Sequence, residues 1–290
     1  MAISVANTLV YKEDWATKLQ ARLNEPNKWK DICKVEYTNT RVLNNPYIAN
    51  LTVQSGLNRG SAYTFQALSE TNETRTINVR RDVSVFIDRA DFAQSGYLKQ
   101  MELAERMGIH MDESIETYVL LIGSTAGQLE TLRASDLPGG SGTSITVSQT
   151  NVDDIIRTVT QFIYTARGGG ELSRNGGYIV WRPADFSLLT AFAQANGWNT
   201  ADNALKSGVR DGFHYMGFDH YVSNNLPGGR LQAGVKKILH LGILRDTYGQ
   251  LMVDDKDPGQ LSGFGFNLRT DMVITNWEQK GSLVFDIAVA

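Results

Sequence analysis

One cysteine, Cys33, is all the sulfhydryl chemistry that 290 residues contain, so no disulfide can form within the chain and a reducing compartment suits it. Positive charge is not in excess. The 28 Lys and Arg face 31 Asp and Glu for a formal net charge of -3, which argues against a broad basic face for nucleic acid. Long apolar runs are missing too. Stretches such as Tyr118 to Ile122 are far too short to span a bilayer, and Met1 to Asp14 lacks the basic flank and apolar run of a signal peptide. The protein is expected to be soluble and intracellular when made, with no membrane partner. There is no internal repeat and no low-complexity tract. What is present is ordinary globular material, 42% hydrophobic and 20% charged, enough for a sizeable core in one large domain or two small ones.

Catalytic signatures are equally scarce. The histidines are His110, His214, His220 and His240. His214 and His220 flank Asp219 on an expected strand, where residues six apart share a side, but a bulge at Gly217 breaks that relation and the spacing is not that of a tight zinc site. Polar or interface histidines are the favoured reading. Cys33 has no histidine near it in sequence to act as a base, so an incidental buried thiol is expected. The glycines at 56 and 60, and the five between 168 and 177, lack both the Gly-Lys-Ser/Thr ending of a phosphate loop and a Gly-x-Gly-x-x-Gly turn. No catalytic residue, metal or cofactor is expected.

The order of elements carries more information. Trp15, Leu19 and Arg22 predict a short helix over 12–24, and residues 34–60, rich in Asn and Thr, read as an extended arm or a loose terminal segment. Residues 61–89 read as a hairpin with its turn near Glu70 to Thr74. In its second half Ile77, Val79, Val83, Val85 and Ile87 share one face, interrupted by Arg81. A lone hairpin is marginal in water, and no neighbouring sequence obviously offers a third strand. A long helix is expected over 91–131, jointed at Gly108, with Glu102, Glu105, Asp112, Glu113 and Glu116 on a solvated face. After the loop at 137–144, Asn151 is expected to cap a helix whose apolar stripe is Val152, Ile155, Val159 and Phe162. A strand at Tyr178 to Trp181 follows, then a helix opened by Pro183, and from Phe213 onward mainly strands.

This succession, with the runs Asp91-Phe-Ala-Gln-Ser-Gly-Tyr-Leu-Lys-Gln-Met-Glu-Leu-Ala, Asp112-Glu-Ser-Ile-Glu-Thr-Tyr-Val-Leu-Leu, Gly177-Tyr-Ile-Val-Trp-Arg-Pro-Ala-Asp-Phe and Gly217-Phe-Asp-His-Tyr-Val-Ser-Asn-Asn-Leu-Pro, resembles the tailed-bacteriophage major capsid proteins of the Hong Kong 97-type fold. The resemblance covers essentially the whole chain. It implies an α+β fold with an N-terminal arm (1–53), an E-loop hairpin (54–89), a peripheral domain with the spine helix (90–145), an axial domain (146–245) and C-terminal strands returning to the peripheral domain (246–290).

The same resemblance implies a structural protein and no enzyme. Many copies would form hexamers and pentamers of an icosahedral shell around double-stranded DNA, assembled in the host cytoplasm and residing in the virion capsid. It further implies a portal, a separate scaffolding protein and, in some members, a decoration protein. Residues 54–88 hold no lysine, so the crosslink that some members form there is not expected. Packaged DNA would be met only weakly, through Lys28, Lys30 and Lys34. Arg59, Arg75, Arg80 and Arg81, with Glu70 and Glu73, are candidate inter-subunit contacts, since an arginine fork suits a neighbour's carboxylate. Solvated charges that keep an edge from aggregating are the alternative. An encapsulin-like nanocompartment shell and, more distantly, a soluble α/β metal-dependent enzyme using His214, His220 and Asp219 are the rival functions.

Overall fold

In the computed structural model two mixed sheets divide the chain between them, and a third, two-stranded sheet projects from one. The structure describes residues 28–48, 65, 67, 70–88, 99–122, 129–196, 213–245, 250–254, 263–277 and 283–290. The expected helix over 12–24 lies outside them.

The first described turn, α1 (Trp29–Ile32), leads into β1 (Lys34–Thr38), β2 (Val42–Ile48), β3 (Glu70–Thr76) and β4 (Val79–Asp88). The segment expected as an arm is therefore built partly into the body. Trp29, Ile32 and Cys33 are buried in the main core, and β1 pairs in parallel with β10 (His240–Leu244). Lys34 N–H donates to Leu239 O at 2.7 Å, and Lys237 N–H to Ile32 O at 2.7 Å.

The hairpin differs from expectation as well. Glu70 to Thr74, read as a turn, lies inside β3, whose partner is β2 in antiparallel register from Val42↔Thr76 to Ile48↔Glu70. The polar composition of β3 explains the misreading, since a strand exposed on both faces has no apolar alternation to show. Among the described residues the apolar anchor of this pair is at its base, where Leu43 and Ile77 pack with Leu244, Val273 and Trp277. β4 belongs to the body and pairs along ten residues with β12 (Gly263–Thr275). That is the third strand the neighbouring sequence did not offer, supplied from about 180 residues away. Val79, Val83 and Val85 do face inward, and the interrupting Arg81 faces inward with them, its guanidinium 5.7 Å from the ring centre of Tyr118.

The long helix, α2 (Lys99–Leu121), runs unbroken through Gly108, so the expected joint is absent there. Its expected end at 131 is also displaced, because Glu130–Leu132 forms β5. Met107, Met111, Ile115 and Val119 bury one face at helical spacing. Glu116 departs from the solvated face assigned to it and is 1% exposed.

Helices α3 (Val152–Thr165), α4 (Gly169–Asn175) and α5 (Pro183–Ala195) accompany β6 (Gly177–Trp181). In α3, Ile163 takes the buried place expected for Phe162. At about 100° per residue position 163 aligns with Val152, Ile156 and Val159, whereas Phe162 sits on the flank and stays 39% exposed. Asn151 makes no side-chain cap; its carboxamide accepts from Ser148 N–H and donates to Thr146 O, pinning the preceding loop instead. β6 is buried along its whole length, as a central strand covered on both faces should be.

The strands β7 (Phe213–Tyr215) and β8 (Phe218–Val222) are joined by a two-residue turn at Met216 and Gly217, both with positive φ, where a bulge was expected. With β9 (Arg230–Val235) and β13 (Val284–Ala288) they complete a six-stranded sheet in the order β5-β13-β9-β6-β8-β7. The other sheet runs β1-β10-β12-β11, where β11 is Gln250–Asp254, and β4 is added to β12. The strands after 246 are therefore split. β11 and β12 join β4, while β13 lies between β5 and β9.

Candidate assembly surfaces

The candidate contact residues occupy two different settings. Glu70 and Arg75 stand on the exposed β3. Arg75 reaches back to the body, its Nε donating to Thr275 Oγ1 at 3.2 Å. Glu73 is less exposed than its neighbours; both of its carboxylate oxygens are shielded from solvent and have no hydrogen-bond partner among the described residues. Arg59 lies outside the described residues.

Arg80 and Arg81 lie on β4, against the body. Arg80 Nε is 3.1 Å from Asp271 Oδ1, and Arg269 donates to Asp271 Oδ2 at 2.8 Å. Burial opposes ionisation of Asp271, yet the hydrogen bonds from Arg269 and Arg80 prevail and hold its pKa below the ordinary carboxylate value. Arg80 is thus engaged within its own chain. Tyr118, under Arg81, accepts Ile274 N–H at 3.3 Å, and burial raises its pKa.

Where α1 meets the six-stranded sheet, charge is concentrated on Lys236. Its ammonium donates to Asp219 Oδ2 at 2.5 Å, Tyr221 Oη at 2.7 Å and Asp31 Oδ2 at 3.2 Å. Tyr221 Oη also donates to Asp31, and this bond, with Lys236, keeps the pKa of Asp31 low against the cost of burial. Glu116 ties the same junction from beneath. One carboxylate oxygen accepts Lys28 N–H at 3.0 Å and the other accepts Ser223 Oγ–H at 2.7 Å. Sequence reading missed this role because a helix-face charge looks alike whether water or protein covers it.

Each histidine has a partner within its own chain, His110 with Glu113 among them. His214 and His220 sit on neighbouring strands; His214 opposes Asp219, and their Nδ1 and Oδ1 are 2.8 Å apart. His220 is wholly buried, accepts the Trp181 indole N–H at Nδ1 (2.8 Å) and faces Tyr215 O through Nε2. Burial lowers its pKa to about 4. His240 accepts the Trp277 indole N–H at 3.0 Å; its Nε2 is 2.9 Å from Glu36 Oε2 without the alignment of a hydrogen bond. Among the described residues no three His, Cys, Asp or Glu side chains gather as a metal site. Cys33 is fully buried and its thiol pKa is pushed up to about 12, an inert setting. The lysines considered for DNA are partly occupied, Lys28 lying over the Tyr221 ring and Lys30 over Trp29.

No protein-family model matches the sequence, and no curated protein matches it. Solved structures do. A structure from Mycobacterium phage Che8 is 13% identical, with a TM-score of 0.70, over 97% of this chain and 98% of that one. The capsid of Ralstonia phage GP4 is 11% identical, with a TM-score of 0.68, over 100% and 98%. A virus-like particle from Pyrococcus furiosus is 10% identical, with a TM-score of 0.57, over 90% and 92%. Identity this low speaks to architecture, and in architecture the chain has the Hong Kong 97-type α+β fold of these phage structures.

Proposed function

We propose that this chain is the major capsid protein of a tailed phage, self-assembling as hexamers and pentamers into the icosahedral shell around double-stranded DNA. The observation that carries the reading is the end-to-end agreement in fold with the capsid of Ralstonia phage GP4. Physical support comes from β2 and β3, a strand pair anchored at its base whose β3 a single subunit leaves largely exposed. In a shell that pair is the extended hairpin lying across a neighbour. Glu70, Glu73 and Arg75 then lie along the same contact, with Arg59 a further candidate for it.

In this reading the sheet containing β4 and β12, with α2, is the peripheral unit. The six-stranded sheet with α3, α4 and α5 is the axial unit. The shell is assembled in the host cytoplasm and becomes the virion capsid. It takes a portal and a separate scaffolding protein, and DNA contact is weak and non-specific. A nanocompartment shell on the same fold is the less supported reading, given the lower TM-score of the Pyrococcus furiosus particle.

Electron microscopy of the purified full-length chain, with and without its candidate scaffold, tests the proposal. Closed shells of uniform diameter are expected. A monodisperse monomer under every such condition would contradict it.

A further inference from the structure

The β2–β3 pair has two outer edges, and its register fixes what each one offers. Ile77 N–H donates to Arg41 O at 2.8 Å, one step beyond the couple Val42↔Thr76. In an antiparallel pair such hydrogen-bonded couples alternate with couples whose N–H and C=O groups point outward. Leu43↔Arg75, Asn45↔Glu73 and Tyr47↔Thr71 are therefore the bonded couples. Val42, Asn44, Pro46 and Ile48 turn their backbone groups outward from β2, and Glu70, Asn72, Thr74 and Thr76 turn theirs outward from β3. The Thr40 hydroxyl donating to Val42 O at 3.0 Å agrees with this alternation.

The two edges differ. Pro46 has no N–H and stands within the outward row of β2, which closes that edge to a further strand. β3 contains no proline, alternates threonine with polar residues and is exposed at six of its seven positions. Among the described residues β2 is its one partner in the sheet. A strand edge with its donors and acceptors free is a template for the addition of another strand.

We propose that β3 of one copy pairs antiparallel with β3 of a second copy, Thr74 opposite Thr74 on a two-fold axis. The proposal rests on the shell reading and assigns one contact within it. Charge selects both the occupant and the register. Centring the pair on Glu73 or on Arg75 sets like charges opposite one another, which destabilises a ladder. Centring it on Asn72 leaves both residues without a charged partner. Centring it on Thr74 sets Glu73 of each copy opposite Arg75 of the other, so the sequence of β3 complements itself twice. Thr74↔Thr74 and Asn72↔Thr76 are then the bonded couples. Arg75 Nε serves Thr275 Oγ1 in its own chain, which leaves the terminal N–H groups of the fork for a carboxylate. A contact between identical edges closes at two copies, so it joins one ring of subunits to the next and does not build the ring.

The test places cysteines along β3 in the full-length chain. Diamide accepts the two electrons and two protons released as each disulfide forms. Cys33, fully buried, stays out of the reaction. Thr74→Cys alone should give a covalent dimer on a non-reducing gel, because opposed residues of paired strands lie within disulfide reach. Asn72→Cys and Thr76→Cys should each give none, and the two combined in one chain should restore the dimer. A second variant, Thr74→Pro, gives β3 the closed edge of β2. The N–H it removes points away from β2, so the subunit should keep its wild-type melting temperature. Pairing should weaken about tenfold, the worth of the two hydrogen bonds lost at each two-fold contact, and the yield of shells should fall with it. Shells in the microscope without a Thr74→Cys dimer, or an equal dimer from Asn72→Cys, would overturn the proposal and leave the shell reading standing. So would wild-type shell yield from Thr74→Pro. A Thr74→Cys dimer from a protein that never closes into shells would do the reverse.

Discussion

Trp181 and Trp277 each spend their only polar atom on a histidine. An indole N–H can only donate, so Nδ1 of His220 and of His240 must accept and the ring proton belongs on Nε2. For His220 this fixes a neutral ring in a dry site, with its pKa lowered from 6.5 to about 4 by burial. Between those values the unfolded chain takes up a proton that the folded chain refuses. The contribution is therefore complete above pH 6.5 and is lost as the pH falls toward 4, up to about 3 kcal/mol. Asp286 works in the opposite sense. Burial raises its pKa to about 6 despite Arg230, so its contribution is present below its unfolded value and is lost as pH rises through 6. The His220 effect is isolated by comparing wild type with His220→Gln. Urea titrations from pH 7 to 4 should show a shallower decline for the variant, and equal slopes would refute the assignment. At the junction, Glu116→Ala should cost about 2 kcal/mol in the same assay, since it strands the buried Ser223 hydroxyl and loosens the partly buried Lys28 N–H.

At the scale of elements, periodicity was a good guide where one face of a segment meets protein and the other meets water. β4 shows this with its four alternating inward positions, and α3 shows it with its stripe. It failed where both faces meet water, as in β3, and where the decisive partner lies far along the chain, as β12 does for β4. The turn at Met216 was hidden because methionine is not a residue that announces positive φ. Gly108 misled in the other direction. A glycine inside a helical pattern suggests a joint, yet α2 continues through it, and a Cβ built there would meet nothing within 4 Å. Gly108→Ala should therefore stabilise the subunit by up to about 1 kcal/mol, read as a higher melting temperature. A lower one would mean that the helix needs to bend at this residue.

For the whole molecule, the resemblance in the sequence conveyed the architecture. The candidate contacts fared unevenly because a charge pattern does not say whose carboxylate an arginine meets. Arg80 meets Asp271 of its own chain, so Arg80→Glu sets two like charges together at the β4–β12 join. It should lower subunit stability by up to about 1 kcal/mol before any effect on assembly, measurable by thermal unfolding. The early part of the chain is likewise two things. Residues 28–38 are body, buried through Trp29 and Ile32, while beyond its anchored base the β2–β3 pair has no fully buried residue. Order in that pair has to come from somewhere, because fixing a backbone costs roughly 1–2 kcal/mol per residue.

Hydrogen exchange followed by mass spectrometry, on the isolated subunit and on assembled shells, reads that directly. Peptides from 42–48 and 70–76 should exchange quickly in the subunit and become strongly protected on assembly, while those from β6 are protected in both. Equal protection of 42–48 and 70–76 in the two states would contradict the claim that neighbouring copies complete this hairpin.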